Sequence, residues 1–227
     1  MVRTVLLLTL VLASFGCAER HAERYPDGTT RFEGSSTQVE GQRVSTGDWS
    51  FYHSSGELQA EGEFEQGGLP GADDLRDDHT VVPAEGRVEW WTFYDAEGLI
   101  AVEGNYAEGQ RDDLWVTWYE NGHQCCSGKF VEGVEHGYSA HWDPEGRKRD
   151  TRYYVEGVLH GPRKVMNEDG DVIWSGEYED GELISSDPPG VGEPEIHGLL
   201  PCIERAEIGM TTPLDSFEPD LTELLGQ

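Results

Sequence analysis

The side chains with chemistry to offer are four cysteines, eight histidines and a large excess of carboxylates. Cys125 and Cys126 are adjacent, with His123 just ahead of them. Thiolate and imidazole are the donors zinc prefers, but the paired Cys-x-x-Cys spacing of structural zinc sites is absent. On a strand, neighbouring side chains project to opposite faces, so one of the two cysteines at most meets a distant partner across a given face. Cys126 with Cys202 is then the candidate disulfide in an oxidising compartment, and two unlinked thiols are the alternative. Asp73-Asp74 and Asp77-Asp78-His79 gather oxygens that calcium accepts, yet no EF-hand spacing or ligand-positioning glycine accompanies them, and a solvated loop accounts for them. No Ser-His-Asp or Cys-His order can be assembled, Gly-x-Ser-x-Gly is missing, and no glycine-rich phosphate loop precedes a helix. These residues predict no catalytic centre, no cofactor and no metal, and a chain that is not an enzyme.

What must position any site is a repeat. Gly98, Gly122, Gly146 and Gly170 stand 24 residues apart, and Gly56 belongs to the same column. Six residues on come Gly62, Gly104, Gly128, then Arg152 where the rule breaks, then Gly176; Gly67, Gly109, Gly133, Gly157 and Gly181 form a third column. Between the last two columns lies an aromatic in every copy: Phe64, Tyr106, Phe130, Tyr154 and Tyr178. Upstream, one column holds Tyr52, Tyr94, Trp118, Trp142 and Met166, and another holds Trp49, Trp91, Trp115, Ser139 and Arg163. A fixed period carried by many columns settles the architecture before any single residue is read. Each copy reads as a β-hairpin, because runs rich in Trp, Tyr, Phe, Val and Thr alternate with polar residues between Gly-containing turns. Asn121-Gly122 and Asp169-Gly170 read as tight turns tolerant of positive φ, and Glu132-Gly133 and Asp180-Gly181 as the reversals between hairpins. Glycine inside a strand, as at Gly62, signals a bulge or a close approach. His136 and His160 precede glycines at matched positions and read as turn residues rather than ligands.

Segments such as Gly128-Lys-Phe-Val-Glu-Gly133-Val-Glu-His136-Gly137 and Gly104-Asn-Tyr106-Ala-Glu-Gly109 resemble the MORN-repeat variant of bacterial proteins, some of which carry the label of YwqK-like antitoxin. The resemblance implies an all-β, elongated antiparallel meander of stacked 24-residue hairpins over residues 47–184, with irregular tails. It implies a scaffold for binding and brings no catalytic residues with it. The break at Arg152 and the loss of the Trp column afterwards depart from the pattern at that end.

Residues 1–17 read as an export signal, with Arg3, an apolar core from Val5 to Leu12 and Cys17 after Gly16, too short to span a bilayer. Cys17 is the expected lipidation site, with ordinary cleavage near Gly16 as the alternative; multiple acyl chains anchor stably. An address at the outer membrane or in the periplasm follows, or secretion without the lipid. Residues 18–46 read as a polar linker with a degenerate capping repeat, 68–86 as an insertion, and 185–227 as a Pro-rich tail apolar enough to dock on the sheet. Pro219 to Leu225 reads as one short helix.

Lys and Arg number 16 against 45 Asp and Glu, a formal charge of −29, which disfavours nucleic acid and anionic headgroups as partners. The expected function is therefore that of a non-enzymatic envelope lipoprotein whose sheet serves as a protein-binding or structural scaffold, with an unknown protein or cell-wall component as partner and membrane contact through the lipid alone. An antitoxin-like inhibitor of a toxin is the alternative, and a calcium-binding protein or surface hydrolase lies further off. Trp49, Trp91 and Trp115 are the expected partner-binding stripe, unless the apolar tail from Ile196 to Ile208 folds over them and makes them core.

Overall fold

The computed structural model describes residues 18–70, 82–194 and 203. The first strands are β1 (Glu19–Arg24), β2 (Thr30–Val39), β3 (Gln42–Tyr52) and β4 (Leu58–Gly67). Beyond the insertion follow β5 (Arg87–Tyr94), β6 (Ile100–Ala107), β7 (Gln110–Trp118) and β8 (Gln124–Val131). The rest are β9 (Val134–Glu135), β10 (Gly137–Trp142), β11 (Lys148–Val155), β12 (Val158–Leu159), β13 (Gly161–Met166), β14 (Val172–Glu179) and β15 (Glu182–Asp187). All join one open antiparallel sheet in meander order, with the two-residue β9 and β12 pairing only to β8 and β11. The fold is all-β, as the alternating aromatic pattern predicts.

The sheet begins at Glu19: residues 18–46, which read as a polar linker with a degenerate capping repeat, form β1, β2 and the start of β3. Gly34 explains why this degenerate copy folds like the others. A Cβ placed there would come within 2.1 Å of the Trp49 ring, and the same holds at 2.2 Å for Gly62 beneath Trp91 and Gly104 beneath Trp115. The in-strand glycine column is thus a bed on which each indole of the next strand lies. Each ring also donates its Nε1–H to the carbonyl that follows that glycine: Trp49 to Ser35, Trp91 to Glu63 and Trp115 to Asn105. A buried Trp needs such an acceptor, and here the bared backbone supplies it.

Side chains then segregate by face. The invariant aromatics Phe64, Tyr106, Phe130, Tyr154 and Tyr178 are all buried, and the first three meet tryptophans edge-on, with Phe64 and Trp91 4.9 Å apart, Tyr106 and Trp115 5.0 Å apart, and Phe130 and Trp115 6.2 Å apart. Val82, Leu69 and Ile203 pack into the same cluster, so the insertion and one described tail residue contribute to this core. Arg87 is buried beneath them, donating to the carbonyls of Pro83 and Val82 and to the Tyr106 hydroxyl while it lies over the Trp91 ring.

The turns come in two kinds. Glu108-Gly109, Glu132-Gly133, Glu156-Gly157 and Asp180-Gly181 have positive φ at both residues, the two-residue turn that matches strand twist. At Asn121-Gly122 only the glycine is left-handed; Gly122 donates to the Tyr119 carbonyl and the Asn121 side chain accepts from His123, which makes a three-residue loop closed by a bulge. His136 and His160 sit at matched interruptions, each donating its backbone N–H back across the hairpin, to Lys129 and Tyr153.

Candidate functional site

Residues paired across the strands trace a row along the closed face: Phe51, Ala60, Phe93, Val102, Thr117, Cys126, His141, Asp150, Val165 and Trp174. The row is apolar in the first copies and turns polar at Cys126, His141 and Asp150. The same signal stands in the 24-residue columns, where Phe93, Thr117, His141 and Val165 share one position and Val102, Cys126, Asp150 and Trp174 another. Sequence reasoning that inspected local motifs alone passed over His141 and Asp150.

Asp150 belongs to an ion cluster and not to a catalytic relay. Its Oδ2 accepts from Arg152 at 2.9 Å and from Arg163 at 2.8 Å, and both Asp150 and Arg163 are almost fully buried. Arg163 also donates to the Pro194 carbonyl, pairs with Glu193, and lies over the Trp174 ring. The cluster occupies the place where the Trp-on-Gly rule fails. Ser139 stands in the Trp column directly opposite Arg152 in the Gly column, so a large-small pair has been exchanged for a small-large one. Arg152 is held charged because the gain from Asp150 outweighs the burial that opposes it. The neighbouring Glu135 is pushed up by burial, against the pull of Arg152 and Arg111.

Cys125 and Cys126 do not diverge. The register shifts between Thr117 and Trp118, which pair with Cys126 and Gln124, leaving Cys125 as the extra residue of a bulge. Both thiols are buried, with sulfurs 3.7 Å apart. His141 from β10 joins them, and the three ligand atoms lie within 4.8 Å of one another. His141 Nε2 is 3.4 Å from the Tyr119 hydroxyl, and its Nδ1 is buried without a hydrogen-bond partner among the described residues. His123 stands apart at the hairpin loop, with Nδ1 2.6 Å from the Pro144 carbonyl. Cys17 and Cys202 lie outside the described residues, as do Asp73, Asp74, Asp77, Asp78, His79 and the Pro219–Leu225 segment.

The expected binding stripe is corrected by its burial. Trp49, Trp91 and Trp115 are 1%, 0% and 0% exposed, because each indole is sunk on a strand glycine and covered by the core. The opposite face is the open one. Its row runs Glu33, Ser50, Glu61, Thr92, Glu103, Val116, Ser127, Ala140, Thr151, Lys164 and Ser175. Beside it stands an exposed column of period 24: Trp90 at 44%, Leu114 at 39% and Tyr138 at 69%. Tyr138 stacks edge-on with Tyr153 at 4.8 Å. Lys129, Lys148 and Lys164 are the only lysines in the sequence, and all three lie on this face, Lys148 over the Trp142 ring. Asp48, Glu61, Glu63 and Glu103 mark its other end, where burial and a hydrogen bond to Glu61 push the Tyr94 hydroxyl up to about 12.

No helix among the described residues is long and apolar enough to cross a membrane. No family model matches this chain, and no curated protein does. Among solved structures it is similar to a chain of the GtfA/B complex bound to UDP and GlcNAc, at a TM-score of 0.21 and 8% identity, with 69% of this chain and 23% of that chain covered. A likeness of that size carries no argument about fold or function.

Proposed function

We propose that this chain is a non-enzymatic binding scaffold, held at the cell envelope through a lipidated Cys17, whose open sheet face docks a protein partner. The reading is supported above all by the exposed column of Trp90, Leu114 and Tyr138, which keeps the repeat's period on the one face that nothing described covers. Exposed aromatics in register are where binding energy concentrates, and an uncovered apolar strip on a highly charged chain calls for an occupant. The gathering of all three lysines at one end of that face gives the partner a chemistry: an apolar strip bordered by carboxylates. The resemblance to MORN-type repeats points the same way. Engagement of Asp150 by two arginines speaks against a Cys-His-Asp relay in the closed face.

Solubilised envelope passed over the mature chain, the Trp90→Ser/Tyr138→Ser variant and the Lys148→Glu/Lys164→Glu variant tests the binding face. A specific protein should be held by the wild type and reduced roughly tenfold or more by either variant, as for loss of an interface anchor. An identical set held by all three contradicts the reading. For the anchor, Cys17→Ser should move the protein from the membrane to the soluble fraction, and equal partition of both forms contradicts lipidation.

A further inference from the structure

We propose that Cys125, Cys126 and His141 form a zinc site on the closed face of the sheet, a role that goes beyond the scaffold reading and does not depend on it. The bulge in β8 turns two adjacent thiols to the same side, and β10 brings an imidazole beside them. A tetrahedral zinc ion holds sulfur at about 2.3 Å, which places two thiolates about 3.8 Å apart. The two sulfurs already stand 3.7 Å apart and an imidazole nitrogen lies within 4.8 Å of both, near enough for one ion to draw the three donors together.

The surroundings fit a ligand role for the histidine. Metal-bound imidazole gives its other ring N–H to an oxygen that fixes the ring. The Tyr119 hydroxyl lies 3.4 Å from Nε2 and donates to the Trp142 carbonyl at 2.8 Å, so its oxygen is turned to accept from His141. Nδ1, buried and without a partner among the described residues, is left for the metal. Two thiolates with one imidazole suit a thiophilic ion and not calcium or magnesium, which take oxygen. Asp150, next in the row, is held by Arg152 and Arg163 and does not compete. Three protein ligands leave a fourth position on the ion to be filled by another donor. Elsewhere the same two columns hold Phe93, Thr117 and Val165, and Val102, Asp150 and Trp174, so this donor set occurs at one place along the sheet.

Cobalt(II) titrated into the full chain, purified with reductant and stripped of metal, tests the site, because a tetrahedral thiolate–imidazole environment gives visible d–d bands and near-ultraviolet sulfur-to-cobalt charge transfer. One equivalent should bind with both signatures and be displaced by one equivalent of zinc. Cys126→Ser should lower the charge-transfer intensity. His141→Gln, at a half-buried position that spares the thiols, should keep the fold by circular dichroism, alter the d–d bands and weaken zinc binding more than about tenfold. Absence of charge transfer in the wild type overturns the proposal, leaving the cysteines as core packing. Cobalt spectra that are the same in wild type and folded His141→Gln overturn it equally.

Discussion

Glu135 stands where Arg87 and Arg111 stand in the two preceding copies, and within reach of its charge Arg152 has replaced a glycine. Arg152 has its own partner in Asp150, and its charge also draws on Glu135. Burial nevertheless raises the Glu135 carboxyl above its ordinary 4.5. The folded state therefore binds this proton more tightly than the unfolded chain does, so the stability it contributes is complete below about pH 4.5 and falls as pH rises from there through the raised value. Glu135→Gln should match wild type in urea midpoint at pH 4 and exceed it at pH 7; a variant less stable than wild type at pH 7 would mean the Arg152 attraction dominates. At this scale the sequence was only partly legible. Cys125 and Cys126 were visible, but their partner was not, because His141 reaches them through strand pairing rather than through local spacing. Reading the columns instead of the motifs exposes it, since a His and an Asp there interrupt otherwise apolar or uncharged positions.

Among elements, the hairpins and the Glu132-Gly133 type of reversal follow from alternation and glycine spacing, and they stand as read. The bulge that turns both cysteines inward does not follow, because a single extra residue in a strand leaves no mark on composition and reverses every parity argument beyond it. The in-strand glycines combine bulge and close approach: the register shifts at Gly34, Gly62 and Gly104, and the rings of Trp49, Trp91 and Trp115 lie on them. Gly104 is not in the left-handed region, so alanine there meets no strain of that kind, and what its Cβ meets first is the ring of Trp115 at 2.2 Å. Gly104→Ala should therefore lower stability by about 1–3 kcal/mol through overpacking, read from a denaturation midpoint. An unchanged midpoint would mean the indole can lift off its bed at no cost. The same logic explains why the end that loses the Trp column still folds: the buried Asp150 cluster fills the volume, and the register of β11, β13 and β14 continues unbroken in kind.

Over the whole molecule, a single sheet must leave one face uncovered or find something to lie on it. Which face closes was not decidable from the repeat, because aromatic columns occur on both, at Trp49, Trp91 and Trp115 and again at Tyr52, Tyr94 and Trp118. The contacts decide it, with Val82 and Ile203 joining the face of Trp49 and Trp91 and leaving the other open. Trp90 and Trp91, adjacent in β5, then have opposite parts to play: one is 44% exposed and the other fully buried. Denaturation midpoints of Trp90→Ala and Trp91→Ala test this division most directly. Trp91→Ala should lose about 3–5 kcal/mol, as for a large aromatic removed from a core, and Trp90→Ala should stay within about 0.5 kcal/mol of wild type, as for a surface site. Equal losses in the two variants would place both faces in a core and contradict the account of an open binding face.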